Sequence, residues 1–409
     1  MGRDRGRAGR SRARHQPGHR QPAGAAPRRG AADARRLSVP GAACVRLARR
    51  RPLELTTAAP EALVAGLRSA LWPRLLLSCL ALAVAFLLGL ALGPTAIAPQ
   101  DTVRVLLSHL PGVGISDDIS LATRNIIWEV RLPRVILAGT VGATLALTGA
   151  AYQGVFRNPL ADPYLIGVAT GAALGATIVV VSDVSYAWGG LSLLPLAAFA
   201  GAITSVVVVY AVARVGNTVP TTTLILAGVA LASLSTAITS YLMLRDTTNA
   251  TAILSVILGG FNTASWTKVV WVLPYAIPAG VVILAHGRIL NVLSLDEEQA
   301  RFLGVNVERT KLLILGVASL AAAAAVAVGG TIGFVGLIVP HAIRLVWGPD
   351  NRYLLPLCIV LGAAFLIGAD LIARTAESPS EIPVGIITAL FGVPFFLYLL
   401  RRARLGAYF

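Results

Sequence analysis

The chain has 409 residues, 56% of them hydrophobic and only 13% charged, against roughly 45–50% and 25% in an ordinary globular domain, which excludes a water-soluble protein. Three cysteines and five histidines, scattered apart from His15 and His19, exclude a disulfide framework and a zinc centre. The net charge of +16 belongs mostly to residues 1–51, where 15 arginines face Asp4 and Asp33 (15 − 2 = +13), so it does not mark a nucleic-acid-binding fold.

Residues 1–70 are rich in Arg, Ala, Gly and Pro without an apolar period. They cannot bury enough surface to offset their ordering entropy and are expected to form a disordered cytoplasmic tail. No aromatic residue interleaves the first arginines, so base stacking has no support. Arg49-Arg50-Arg51 and Leu77-Ser78-Cys79 imitate export signals, but neither has the flanking pattern for cleavage.

A membrane domain is expected over 71–409. Residues 75–100 carry no charge over 26 positions, more than the roughly 20 that cross a bilayer core. Further apolar runs lie at 135–156, 164–182, 186–213, 215–244, 269–285, 312–340, 353–369 and 382–400. The 312–340 run holds Gly329-Gly330 and is predicted to break there into two helices, which makes about ten spans in an all-α polytopic protein. With ten crossings the tail, Arg214, Arg288, Arg301, Arg309 and the terminal Arg401, Arg402 and Arg404 fall on one side, which the positive-inside rule makes cytoplasmic, with both termini there. Arg131, Arg134 and Arg374 fall outside, against that trend. Gly167, Gly171 and Gly175, with Gly142 and Ala146, recur at four-residue spacing and predict close helix packing. Helices two to five and seven to ten suggest an inverted repeat, with Leu160-Ala161-Asp162-Pro163 and Trp347-Gly348-Pro349-Asp350 as corresponding punctuation.

The longest polar interruption, 287–311, contains Ser294-Leu295-Asp296-Glu297-Glu298-Gln299-Ala300-Arg301-Phe302-Leu303-Gly304. Ser294 is expected as an N-cap, the three acids favour a first turn and Gly304 a helix stop. Leu295, Phe302 and Leu303 give this short helix an apolar side suited either to a plain interfacial connector or to docking on another protein. His341 and Asp370 are read as structural, the latter paired with Arg374 at i,i+4 spacing, and no metal site is expected.

The spacing from Glu298-Gln299-Ala300 to Gly304 resembles the coupling loop of ABC transporter permeases. More specifically, Arg131-Leu132-Pro133-Arg134, Gly149-Ala150-Ala151-Tyr152-Gln153-Gly154 and Asn158-Pro159-Leu160-Ala161-Asp162-Pro163 resemble the FecCD family, the type II importers of iron-siderophores, haem and vitamin B12. Gly329-Gly330-Thr331-Ile332-Gly333-Phe334-Val335-Gly336, Ala369-Asp370-Leu371-Ile372-Ala373-Arg374 and Glu381-Ile382-Pro383-Val384-Gly385 continue the likeness in family order.

That resemblance implies the BtuC-like permease fold in a bacterial inner membrane, paired with a second permease copy, the same or different. It also implies two ATPase subunits and an external substrate-binding protein. This chain would then be no enzyme and hold no cofactor, with ATP and Mg on the ATPase; neither lysine, Lys268 or Lys311, follows a glycine, so no phosphate loop is present. Carried over by position, Arg131, Arg134 and Arg374 would dock the binding protein; Asp296, Glu297, Glu298, Ala300 and Gly304 would couple to the ATPase; Asn158, Leu160, Thr221 and Thr222 would close the cytoplasmic end of the path. Snorkelling arginines and ordinary turn chemistry are the alternatives for the first and last sets. The expected cargo is a ferric siderophore, with haem or cobalamin as alternatives. A proton-coupled secondary transporter is the rival class, disfavoured because the spans hold almost no ionisable residues.

Overall fold

The computed structural model describes residues 60–406 except 94, 96, 109–118, 183–186, 189–190, 217–218, 247, 296 and 379. The expected tail falls outside the described residues up to position 59. Fifteen helices follow in order: α1 Pro60–Ala91, α2 Pro99–Ser108, α3 Leu121–Asn125, α4 Leu132–Phe156, α5 Val168–Val181, α6 Leu193–Ala213, α7 Thr221–Arg245 and α8 Ala250–Leu258, then α9 Trp266–Ala285, α10 Gly287–Leu293, α11 Glu297–Phe302, α12 Val307–Gly329, α13 Val335–Trp347, α14 Asn351–Thr375 and α15 Val384–Gly406. Besides helices, the described residues hold a short antiparallel pair, Ala187–Trp188 with Leu191–Ser192, and an isolated bridge residue, Val215.

Among the described residues, seven helices are long and apolar enough to cross a membrane, and three shorter apolar ones (α5, α13 and α15) complete a set of ten. A π-helical turn at Ile126–Arg131 joins α3 to α4, so this element runs from Leu121 to Phe156, starting well before the apolar run at 135. Ser120 begins it, its Oγ accepting the Thr123 N–H at 3.2 Å. The wide turn lies just ahead of Pro133, which has no N–H to give to a regular helix.

Helix α4 is buried along nearly its whole length and forms the centre of the bundle. A Cβ at Gly142 would land on the Gly362 carbonyl of α14, and one at Gly175 on the Ala197 carbonyl of α6. Backbones approach this closely because the lipid offers helices no hydrophobic drive to associate, and dispersion must hold them.

The two halves repeat a shared device. Helices α4 and α12 each end at a left-handed residue, Arg157 (φ 52°) and Gly330 (φ 71°). After a short connector, a second left-handed residue, Gly167 (φ 80°) or Phe334 (φ 68°), starts a helix of 14 or 13 residues. Helix α4 packs on α13 and α14, while α12 packs on α5 and α6, so each half lies against the other's following pair. Four crossings, α5, α6, α7 and α9, lie between α4 and α12, so the two run in opposite directions and the repeat is inverted. Leu160-Ala161-Asp162-Pro163 therefore corresponds to the connector at 330–334. The expected match to Trp347-Gly348-Pro349-Asp350 is displaced by one helix, because that segment follows α13.

Candidate functional site

Alternating helices bring residues 153–164, 214–220, 286–311 and 344–352 to one end, here the basic end, and residues 89–95, 124–134, 246–266 and 370–384 to the other.

At the opposite end, the three anomalous arginines are interior. Arg131, Arg134 and Arg374 are 3%, 7% and 2% exposed. Arg131 donates to the carbonyls of Leu90 (2.7 Å) and Ala91 (2.8 Å), closing the end of α1, and to the Thr95 carbonyl and hydroxyl. Arg134 reaches across the bundle: Nη2 donates to Asp370 at 2.8 Å and Nη1 to Glu381 at 2.9 Å. Arg374 donates to the Gly89 carbonyl and lies 3.7 Å from Asp370. As placed, none exposes its guanidinium: each donates to acceptors of this chain, and Arg374 Nε is buried without a hydrogen-bond partner. The expected i,i+4 pair exists, but Arg134 is the nearer partner of Asp370. Three arginines against two carboxylates leave this cluster a net +1 (3 − 2), a field that favours an acidic partner above it.

Between the ends, a groove of about 510 Å³ runs along α8 and α15, lined by Leu258, Thr331, Gly385, Ala389, Leu390 and Val393 among others. Its one polar side chain is Thr331, whose hydroxyl is turned to the Ile257 carbonyl. Helix α8 was not foreseen in the sequence, where it falls in the gap between the apolar runs 215–244 and 269–285.

At the basic end, Asn158 makes an Asx turn, its Oδ1 accepting the Leu160 N–H at 2.9 Å. Leu160 is half-buried, and Thr221 and Thr222 are the first residues of α7, the second of them exposed. Beside them lies a polar network that the sequence reading missed. Tyr164 Oη donates to the Ile332 carbonyl (2.8 Å) and accepts its N–H (3.1 Å), tying one connector to the other. Gln153 donates to the Gly336 carbonyl at 2.9 Å and accepts from Arg344. Buried Asp162 accepts the Tyr164 N–H at 2.8 Å, and burial pushes its carboxyl up to about 6 despite that bond. Polar letters inside an apolar run, Gln153 above all, were the available signal.

The short helix α11 projects from this end. Ser294 is not its N-cap: Ser294 closes α10, its Oγ donating to the Asn291 carbonyl at 2.6 Å. Asp296 lies outside the described residues, Glu297 starts the helix and Glu298 is exposed. Ala300 is fully buried and anchors the helix to the body. Gly304 (φ 81°) ends it, as expected. Phe302 is 84% exposed, with Leu303 and Leu295 bare beside it. His341 sits edge-on against Phe395 at 6.0 Å. No group of metal-ligating side chains occurs among the described residues.

The profile of the FecCD transport family matches residues 81–402. The chain belongs to the FecCD transport family. This FecCD protein is 48% identical over 282 residues to the cobalamin import system permease protein BtuC of Halobacterium salinarum, covering 69% of this chain and 75% of that one. It is 39% identical to the hemin transport system permease protein HmuU of Yersinia pestis, covering 69% and 86% of the two chains. A solved metal-chelate type ABC transporter, in an inward-facing conformation, superposes with a TM-score of 0.69 at 31% identity, covering 81% of this chain and 99% of that one. The chain is thus an importer permease of the BtuC type, a transporter subunit in a multi-pass membrane fold, and the secondary-transporter reading falls.

Proposed function

We propose that this FecCD permease carries a metal tetrapyrrole, with a corrinoid such as cobalamin as its cargo. The observation behind this is the 48% identity to a permease named for cobalamin import, and haem is the second reading on the strength of the 39% relative named for hemin. Corrin and porphyrin are both macrocyclic metal chelates. Their pairing among the relatives moves the cargo away from the ferric siderophore expected from the sequence. The apolar groove along α8 and α15 suits a large, flat, partly apolar ligand that must pass without being held.

Two permease copies would face each other across that groove and close the path. Two ATPase subunits would dock at the basic end, on the bare side chains of α11, and supply hydrolysis from separate chains. Asn158, Leu160, Thr221 and Thr222 sit at the level where the cytoplasmic gate would close. A binding protein would dock at the opposite end, over the rim that Arg131, Arg134 and Arg374 support from beneath. The basic end would then be cytoplasmic, in a bacterial inner membrane.

The test is ATP-dependent uptake into liposomes holding the permease, its ATPase and its binding protein, with cyanocobalamin, haemin and a ferric hydroxamate supplied in turn. Cobalamin accumulation is expected. Accumulation of the hydroxamate alone would return the cargo to a siderophore.

A further inference from the structure

A transporter driven from one end must move the other, and α14 touches both. At the basic end, Asn291 of α10 grips the start of this helix with both halves of its amide. Its Nδ2 donates to Asp350 Oδ1 at 2.6 Å, and its Oδ1 accepts the Asn351 N–H at 2.8 Å. Asp350 is the N-cap of α14, accepting the Arg352 N–H at 3.0 Å. Burial would raise its carboxyl, but hydrogen bonds from Arg352 and Asn291 hold it below the usual range, so it is ionised. At the far end, the same helix carries Asp370 and Arg374, which enter the buried cluster with Arg134, Glu381 and the end of α1. Between these ends α14 lies against α4 at the Gly142–Gly362 approach, without room for a methyl group. A pair packed this tightly moves as a body and does not bend locally. Only Ser294, Leu295 and residue 296 separate α10 from α11, so a displacement of the exposed α11 helix reaches Asn291 over a short path.

We infer that Asn291 is a positioning residue that passes the motion of the α10–α11 segment to α14, and through it to the ion cluster at the opposite end. The inference rests on the reading that α11 is the ATPase contact, and deepens it by naming where the stroke enters the bundle. Asn291 touches neither cargo nor nucleotide, and its expected effect is on coupling.

The experiment uses the complete reconstituted transporter and the chelate that the parental protein accumulates, and reads both the amount of co-purified ATPase and the chelate moved per ATP hydrolysed. Asn291→Asp sets a second carboxylate against Asp350. It should leave ATPase co-purification and basal hydrolysis at parental levels while lowering chelate moved per ATP about tenfold, the size of one charge-assisted hydrogen bond lost. Asp350→Asn alone keeps an acceptor for Asn291 and an N-cap, and should couple normally. The deciding arm is the exchange of both, Asn291→Asp with Asp350→Asn, in which the new amide at 350 donates to the new carboxylate at 291, the reverse of the parental bond, while the Asn351 N–H keeps an acceptor; with the carboxylate repulsion gone, the ratio should be restored. A parental ratio in Asn291→Asp, or an exchange variant that accumulates normally yet stays uncoupled, overturns the inference. If the ATPase fails to co-purify with the parental chain itself, the docking reading is wrong, and this inference falls with it.

Discussion

Arg134 shows how one side chain changes meaning between sequence and structure. In the sequence it is a cation on the wrong side of the membrane, and a partner protein is the natural explanation. In the fold, its guanidinium spans 236 positions of chain to Asp370 and 247 to Glu381, a pairing no local pattern reveals. The positive-inside exception did mark the residue as special; only the identity of its partners was hidden. Removing one member of a buried ion pair strands the others, at a cost on the order of 3–5 kcal/mol. Arg134→Met should therefore lower the thermal unfolding temperature of the purified subunit markedly, while Arg104→Ala, at an exposed site beside Asp101, should leave it nearly unchanged. An unaltered melting temperature for Arg134→Met, joined to weaker association of the binding protein, would assign Arg134 to docking and not to the stability of the fold. Asp162 makes a second prediction at this scale. Its folded pKa of about 6 stands above the ordinary 3.8, so between these values the folded chain holds a proton that the unfolded chain has lost. Stability contributed by this group is present at low pH and is lost as pH rises toward and through about 6. Asp162→Asn keeps the acceptor for the Tyr164 N–H and removes the titration, so unfolding midpoints measured from pH 4.5 to 7.5 (a window on the order of the shift itself) should flatten. A variant with the parental pH slope would assign that slope to another group.

Elements were legible where hydrophobic length alone defines them, and illegible where polar backbone is tolerated by burial. The ten apolar segments and the break after Gly329 follow from composition and glycine placement. The π turn, α8 and the tie between Tyr164 and Ile332 do not: the turn is a local widening inside a helical run, α8 is only nine residues long, and the tie joins residues 168 positions apart. Helix α11 lies between these cases: the acids and Gly304 announced it, while the N-cap was misplaced because Ser294 bonds backward into α10. Its bare Phe302 leads to a prediction that separates folding from assembly. A side chain 84% exposed in the free subunit contributes little to its stability, so Phe302→Glu should insert and melt like the parent. Placed at the centre of a docked surface, the same change buries an unpaired charge. Co-purification of the ATPase should fall strongly at normal membrane levels of the permease. Parental recovery of ATPase with Phe302→Glu would move the contact elsewhere.

For the molecule as a whole, three of the cations that count against a cytoplasmic basic end are interior. Arg157, Arg214, Arg288, Arg301, Arg309, Arg344 and Arg352 gather at the basic end, whereas the opposite end keeps Arg104 and Arg245 exposed and Arg124 and Lys268 half-buried, and withdraws Arg131, Arg134 and Arg374 from the surface. Interior arginines bonded to this chain's own carbonyls and carboxylates are not the loop charges that the positive-inside rule counts. Once they are set aside, the remaining bias favours a cytoplasmic basic end, and with it the placement of α11 on the ATPase side. Single-cysteine labelling checks this without disturbing charge. After replacement of Cys44, Cys79 and Cys358, Val215→Cys would report the basic end and Ser380→Cys the opposite end, both at exposed positions. A membrane-impermeant maleimide should label Ser380→Cys in intact spheroplasts and Val215→Cys only after permeabilisation. The reverse pattern would invert the topology, put α11 outside the cell and leave it no ATPase to meet.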